Sequence, residues 1–302
     1  MLDQSLLPNE ILITDGGSND GTTAILQAYT QQHATVRLFQ KTNALPGQGR
    51  NLAATNATHE WLAFIDAGVV PARDWLAQLA ECAARDSNTD VVFGTWEPVT
   101  DSFFKECAAI AYAYVPKRGN YEEVKRARAI FSSLMRRSVW QSVGGFPEDL
   151  RSAEDHLFIN RIDEQGFNVA YAPSALVRWT MQPTAWRTFK RFVVYSRYNL
   201  RAGLGRQWQA AILVRYFILL VSALALFSFT NWWPVVTAAL LLVLLAIRSL
   251  LALWRNRETF PAGLARNAAR LALLILLLFV LDVATIVGTF DWLIRDKLRL
   301  AK

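Results

Sequence analysis

Glu10-Ile11-Leu12-Ile13-Thr14-Asp15-Gly16-Gly17-Ser18-Asn19-Asp20-Gly21-Thr22 joins a short apolar run to a turn rich in glycine and aspartate. A β-strand that breaks into an acidic loop has this pattern. The segment after it, Thr22–Gln31, is predicted to be helical, with Ser18, Asn19 or Asp20 available to cap it. Outward from there, Val36-Arg37-Leu38-Phe39 is a second strand candidate, and Ala53–Thr58 belongs to a helix. Trp61-Leu62-Ala63-Phe64-Ile65 is a third strand that stops at Asp66, Trp75–Arg85 is helical, and Val91-Val92-Phe93-Gly94 is a fourth strand. Strands that alternate with helices predict an α/β domain with a mainly parallel sheet. Ligands of open α/β sheets sit at the carboxyl ends of the strands. Asp15 and Asp66 both fall at such ends.

The rest of the chain has another character. Of 302 residues, 53% are hydrophobic, and the excess is concentrated in Ile212–Thr230, Pro234–Trp254 and Leu271–Phe290. Each run is near the ~20 residues a helix needs to cross hydrocarbon. Each carries one charge: Arg215, Arg248 and Asp282. Buried helices of a soluble core would show polar faces, which these runs almost lack. Cys82 and Cys107 are too few for a disulfide framework and suit a reduced compartment. Met1–Glu10 has neither the basic start nor the apolar core of a secretory signal, so a cytoplasmic domain is expected. The net charge of +7 is uneven. Between Glu164 and Glu258 there is no acid, while Arg178, Arg187, Lys190, Arg191, Arg197, Arg201, Arg206 and Arg215 all occur. A basic segment before a span suits anionic headgroups. The adjoining apolar runs make nucleic acid the weaker reading of that patch.

Four motifs in order resemble the family 2 glycosyltransferases, which have the GT-A fold. The first is Ile11–Thr22, similar to the strand and acidic turn that reads the nucleotide base. The second is Gly49-Arg50-Asn51-Leu52-Ala53, a lead into the helix before the metal-site strand. The third is Phe64-Ile65-Asp66-Ala67-Gly68, in the place of the Asp-X-Asp motif. The fourth is Gly144-Gly145-Phe146-Pro147-Glu148 followed by Ala153-Glu154-Asp155, like the acceptor-side segment with the general base. The resemblance covers about Pro8 to Gly203. It departs from the family in two places. Gly68 stands where a second Asp is common, and the family's first strand has no counterpart. The chain therefore reads as a fragment, with an upstream strand and a helix running into Leu2–Leu7 expected.

The resemblance implies roles. Asp15 and Gly17 would hold the base or ribose of a UDP- or GDP-sugar. Asp66 would hold Mg²⁺ or Mn²⁺, hard cations that prefer oxygen ligands, with the donor pyrophosphate completing the shell. Arg50 and Arg178 would pair with phosphate oxygens, as the guanidinium fork can. Asp155, with Glu154 beside it, would deprotonate the acceptor hydroxyl. The structural alternative for the pair is helix capping and dipole compensation. Gly144 and Gly145 would let the backbone approach the donor. Asp20 reads as a helix cap rather than a ligand.

Thr184–Arg201 plots as an amphipathic helix. Arg187, Lys190, Arg191, Arg197 and Arg201 share one side, and Trp186, Phe189, Phe192 and Val193 lie largely opposite. A GT-A domain over residues 1–205, including this interfacial helix, and a membrane domain over 206–302 are expected. With the catalytic domain inside a bacterial inner membrane, the third span would carry Arg295, Lys297, Arg299 and Lys302 outward, against the positive-inside rule. The leading expectation is an inverting transferase acting on a lipid-linked or membrane-proximal acceptor in cell-envelope glycan synthesis. A polyprenyl-phosphate sugar synthase and a non-catalytic nucleotide-binding scaffold are the alternatives.

Overall fold

The computed structural model describes residues 1–113 and 127–298. Arg299 and Lys302 lie outside the described residues. The chain divides into two compact units. One holds residues 1–97 and 127–180, the other 98–113 and 181–298. The boundary expected at 205/206 therefore moves. The helices Phe103–Tyr112 and Ala185–Arg201 bury apolar side chains against the long C-terminal helices and group with them.

In the first unit, β1 (Ile11–Asp15) pairs in parallel with β2 (Val36–Gln40), with Asp15 opposite Gln40. Helix α1 (Thr22–Gln32) joins them. Its N-cap is Gly21. Asp20 bonds instead to the Thr22 N–H at 3.2 Å and hydroxyl at 2.6 Å. Helix α2 spans Pro46–Thr55, starting well before the expected Ala53. The second sheet has the order β3-β6-β5-β7-β4. It contains β3 (Trp61–Phe64), β4 (Val69–Pro71), β5 (Val91–Val99), β6 (Ser133–Arg136) and β7 (Val169–Thr180). β6 runs antiparallel to β3 and β5, and β4 antiparallel to β7. The expected α/β architecture holds, but the sheet is mixed rather than mainly parallel. A strand from residues 133–136 inserts between the two apolar strands read in the sequence.

Helices α3 (Trp75–Ala84), α5 (Arg137–Ser142) and α6 (Glu154–Glu164) complete the described first unit; α4 is Phe103–Tyr112 of the second. The core gathers Leu62, Phe64, Val91, Phe93, Met135, Val139, Phe146, Phe158 and Ile162. Burying such side chains contributes about 1.5–3 kcal/mol each relative to exposure. Met1–Glu10 forms turns rather than the expected end of a helix. Gln4 fixes that segment by donating to Ala72 O at 2.8 Å and accepting from Leu76 N at 3.0 Å.

The second unit is helical: α4, α7 (Ala185–Arg201), the short α8 (Gly205–Trp208), α9 (Ala210–Phe229), α10 (Trp233–Arg255) and α11 (Leu264–Trp292), which ends in a π-helical turn, Leu293–Lys297. Helices α9, α10 and α11 are long and apolar enough to cross a membrane. Thr184 caps α7 by accepting from Arg187 N at 3.3 Å. The charges noted in the apolar runs are partly paired. Arg248 forms a two-pronged ion pair with the fully buried Asp282, which also accepts from Tyr216 Oη at 3.2 Å.

Candidate active site

Helix α2 begins with Pro at its first turn and carries two glycines, Gly47 and Gly49. Gly47 allows a close approach. A Cβ on Gly47 would fall 2.0 Å from Pro147 O, so no side chain fits between α2 and the loop 144–148. Asn51 fastens the two together. Its Nδ2 donates to Phe146 O and to Glu148 Oε1, both at 2.9 Å. Its Oδ1 accepts from Phe146 N at 2.9 Å and from Trp140 Nε1 at 3.1 Å. Gly145, at φ +71°, sits so close that a Cβ there would be 2.8 Å from Asn51 Oδ1. Two consecutive left-handed residues, Gly144 and Gly145, turn the chain into this clamp. Asn51 was legible only as part of a motif; its four hydrogen bonds mark it as the residue that sets α2.

The clamp aims Arg50. Its Nη1 lies 2.6 Å from Glu154 Oε1 and its Nη2 lies 2.7 Å from Asp66 Oδ1. Its guanidinium also rests over the Phe146 ring, 5.3 Å from the centroid. Burial opposes the charge of Arg50, but Asp66, Glu154 and Asp155 outweigh it and raise its pKa. The three segments that the sequence singled out separately thus meet at one cation.

Glu154 and Asp155 are the first residues of α6. They differ in environment. Glu154 is buried, and its Oε2 has no hydrogen-bond partner among the described residues. Burial, with the neighbouring Asp155 charge, pushes its pKa up in spite of Arg50. Asp155 is half-buried and accepts from the His156 backbone N–H at 2.8 Å through Oδ1. That bond is to its neighbour, and neither carboxylate caps the helix.

Asp66 lies in the short loop between β3 and β4 with its side chain 39% exposed. Among the described residues only Arg50 bonds to its carboxylate, and no three His, Cys, Asp or Glu cluster there as a metal site. One open carboxylate is a donor set that would fit a divalent ion shared with other oxygen ligands and not an all-protein cage. Gly68 follows at φ +85° with open space around it.

Asp15 is buried and serves its own loop. Oδ1 accepts from Ser18 N (3.0 Å), Ser18 Oγ (2.7 Å) and Gly17 N (3.3 Å), and Oδ2 from Thr23 Oγ1 (2.6 Å). The bonds from Thr23, then Ser18, hold its pKa down at about 2. Thr14 links this loop to α2 by donating to Gly49 O at 2.9 Å. Arg178 stands apart from Arg50: it is 63% exposed and pairs with Glu97 at 2.9 Å.

Residues 1–141 match the family described as Glycosyl transferase family 2. This N-terminal part of the chain is similar to glycosyltransferase family 2. The chain is 25% identical to the O-antigen chain rhamnosyltransferase WbaN of Salmonella anatum over 198 residues, 63% of this chain and 62% of that one. The chain thus spans less than two thirds of that relative. It is also 25% identical to the succinoglycan biosynthesis protein ExoA of Rhizobium meliloti over 247 residues, 75% of this chain and 71% of the other. A mannosyltransferase from Pyrobaculum calidifontis, solved with GDP-Man and Mn²⁺, shares the fold at a TM-score of 0.56 and 21% identity, covering 98% of this chain and 81% of that one. The family 2 domain thus has the expected GT-A type of fold.

Proposed function

We propose that this chain is an inverting glycosyltransferase that moves a sugar from a nucleotide-sugar to a lipid-linked or membrane-proximal acceptor, in the synthesis of a surface polysaccharide. The observation that carries the reading is Arg50, half-buried and aimed by the Asn51 clamp between Asp66 and Glu154. Breaking the bond between the anomeric carbon and the diphosphate builds charge on the leaving phosphate. A preorganised cation stabilises that charge without reorganising at the moment of reaction. Donor phosphate oxygens would compete with Asp66, the exposed partner, for the guanidinium fork. Glu154, the buried partner, would keep its hold and act as a positioning residue.

Asp155 is the base in this reading. Its Oδ2 has no described donor, so it can take the acceptor hydroxyl proton as that oxygen attacks the anomeric carbon and the nucleoside diphosphate departs. Glu154 suits the role less, since burial already disfavours its charged form. Asp66 would hold the divalent ion, which when bound supplies Lewis-acid charge neutralisation at the pyrophosphate. Asp15 would then shape the nucleotide loop through Ser18 and Thr23 rather than offer a vacant carboxylate. The polysaccharide names of two relatives support the acceptor class.

Incubating membranes containing the chain with labelled UDP-, GDP- and dTDP-sugars tests the proposal. Label passing from one donor into lipid-extractable or polymeric product supports it. Tight nucleotide binding with no transfer from any donor, in a chain extended to its full reading frame, points to the scaffold alternative.

A further inference from the structure

The long apolar helix α11 has an unusual neighbour. The cationic helix α7 follows it along its length. Ala185 shares a cluster with Leu274 and Leu277, and Phe192 with Leu278 and Leu281. A Cβ on Gly288 would lie 2.5 Å from Val193 O and 2.7 Å from Ser196 Cβ, so the backbones nearly touch there. Arg197 reaches Asp291 at 3.3 Å and Asp296 at 2.8 Å. The contacts advance in the same direction on both helices, from Leu274 to Asp296. If α11 crossed a bilayer, α7 would cross beside it.

Helix α7 cannot do so. Arg187 and Lys190 are exposed on it, and Lys190 lies over the Trp186 ring, itself 61% exposed. Ionised side chains are expelled from the hydrocarbon centre, whereas Trp and Lys favour the interface. The other sides of α11 are occupied as well. Near its start, Arg270 is buried on Glu106 of α4. Helix α10 packs Leu245 against Leu278 and Leu281. What stays open is a stripe of Leu276, Phe279, Val287 and Phe290. At 100° per residue these four fall within roughly 80° of arc.

The hairpin α9–α10 is different. None of the residues 216–247 is Asp, Glu, Lys or Arg. Its apolar side chains, among them Phe217, Leu224 and Val243, are exposed along the helices. Arg215 and Arg248 sit toward one end of it, and Trp232 at the tip. At 1.5 Å per residue the two helices reach roughly 30 Å, enough to cross.

We infer that α9 and α10 are the crossing pair, and that α11 lies in the plane of the membrane at headgroup depth. Its Leu276–Phe290 stripe faces the acyl chains, and α7 covers it on the polar side, presenting Arg187 and Lys190 to anionic headgroups. The Arg248–Asp282 pair then joins the base of the hairpin to the in-plane helix. The loop with Arg255 and Arg257 and the turn with Arg295 and Lys297 come to the same side, which removes the conflict with the positive-inside rule.

The test uses the whole chain in sealed vesicles. Asn231→Cys, Asn256→Cys and Lys297→Cys are each labelled with a membrane-impermeant maleimide, against the parent chain with its buried Cys107 and half-buried Cys82. Lys297→Cys is expected to label from the same side as Asn256→Cys and opposite to Asn231→Cys. Labelling of Lys297→Cys from the Asn231 side overturns the inference. Spin labels at Phe279, Val287 and Phe290 give the second reading. Equal depths in the bilayer are expected, and a steady change of depth along the three positions shows a crossing or re-entrant helix and refutes it.

Discussion

Replacing Arg50 by methionine removes a cation from between two carboxylates of unequal exposure. Asp66 is 39% exposed, and an ion pair of that kind is worth at most about 1 kcal/mol. Glu154 has a side chain only 6% exposed, with Arg50 bonded to one oxygen and nothing to the other. Breaking a buried pair from one side costs about 3–5 kcal/mol, because the remaining charge stays desolvated. Glu154 can escape part of that cost by taking a proton. Its folded pKa already lies above the ordinary 4.5, and loss of Arg50 raises it further. The folded state then binds a proton that the unfolded state releases, so stability falls as pH rises from about 4.5 through the raised value. Arg50→Met should therefore lose about 3 kcal/mol at pH 8 and distinctly less at pH 5. Glu154→Gln in the same chain should restore at least 2 kcal/mol, since the orphaned charge is gone. Thermal unfolding of the detergent-solubilised chain across this pH range measures both effects, compared as apparent midpoints because the chain has two units. A coupling below about 0.5 kcal/mol, or a loss independent of pH, would refute the account of Glu154 as the buried partner. The double variant should remain unable to transfer sugar, because the phosphate-facing cation is still missing.

Asn51→Ala removes four hydrogen bonds at about 1 kcal/mol net each and should destabilise the first unit by roughly 3 kcal/mol; it should also weaken nucleoside diphosphate binding, read by titration, because Arg50 loses its aim. Asp66→Ala should abolish transfer and chelator should lower it strongly. Gly68→Asp has open space around it but a left-handed backbone, so it should fold with a loss of about 1 kcal/mol and tighten Mn²⁺ binding measured without nucleotide; full activity in chelator would show that arginine alone stabilises the leaving group. Asp15 is held at about 2, below its ordinary 3.8, so its contribution is complete above pH 4 and is lost as pH falls toward 2. Asp15→Asn should accordingly weaken the fold at neutral pH and flatten its acid limb.

Local periodicity made β1, α1, β2, β3 and α3 readable, because each is short, apolar on one side and bounded by turn residues. The start of α2 was not readable for a tertiary reason. Pro46-Gly47-Gln48-Gly49 is a poor helix former by composition, yet Gly47 is there so that a helix can touch Pro147. The mixed order of the second sheet was hidden likewise, since β6 pairs with strands far from it in the chain. At the site, Arg50, Asp66, Glu154 and Asp155 were each visible as chemistry-bearing residues. Their meeting across 104 residues of sequence depends on the Asn51 clamp, and no local pattern encodes it. Arg178 shows the reverse. The resemblance offered it to phosphate, and on β7 it pairs with Glu97, a contact between strands that no local pattern encodes. In the second unit the single charges of the apolar runs were plain, whereas the Arg248–Asp282 pairing required the helices to be packed.

The central claim is most directly tested at Asp155. Turnover and nucleoside diphosphate affinity should be measured on the same preparation of wild type and Asp155→Asn, with the donor that the membrane assay selects. A base that acts on the acceptor predicts unchanged nucleotide affinity and turnover reduced about 10²–10⁴-fold. Near-normal turnover in Asp155→Asn would contradict the account and reduce the Glu154-Asp155 pair to a structural start of helix α6.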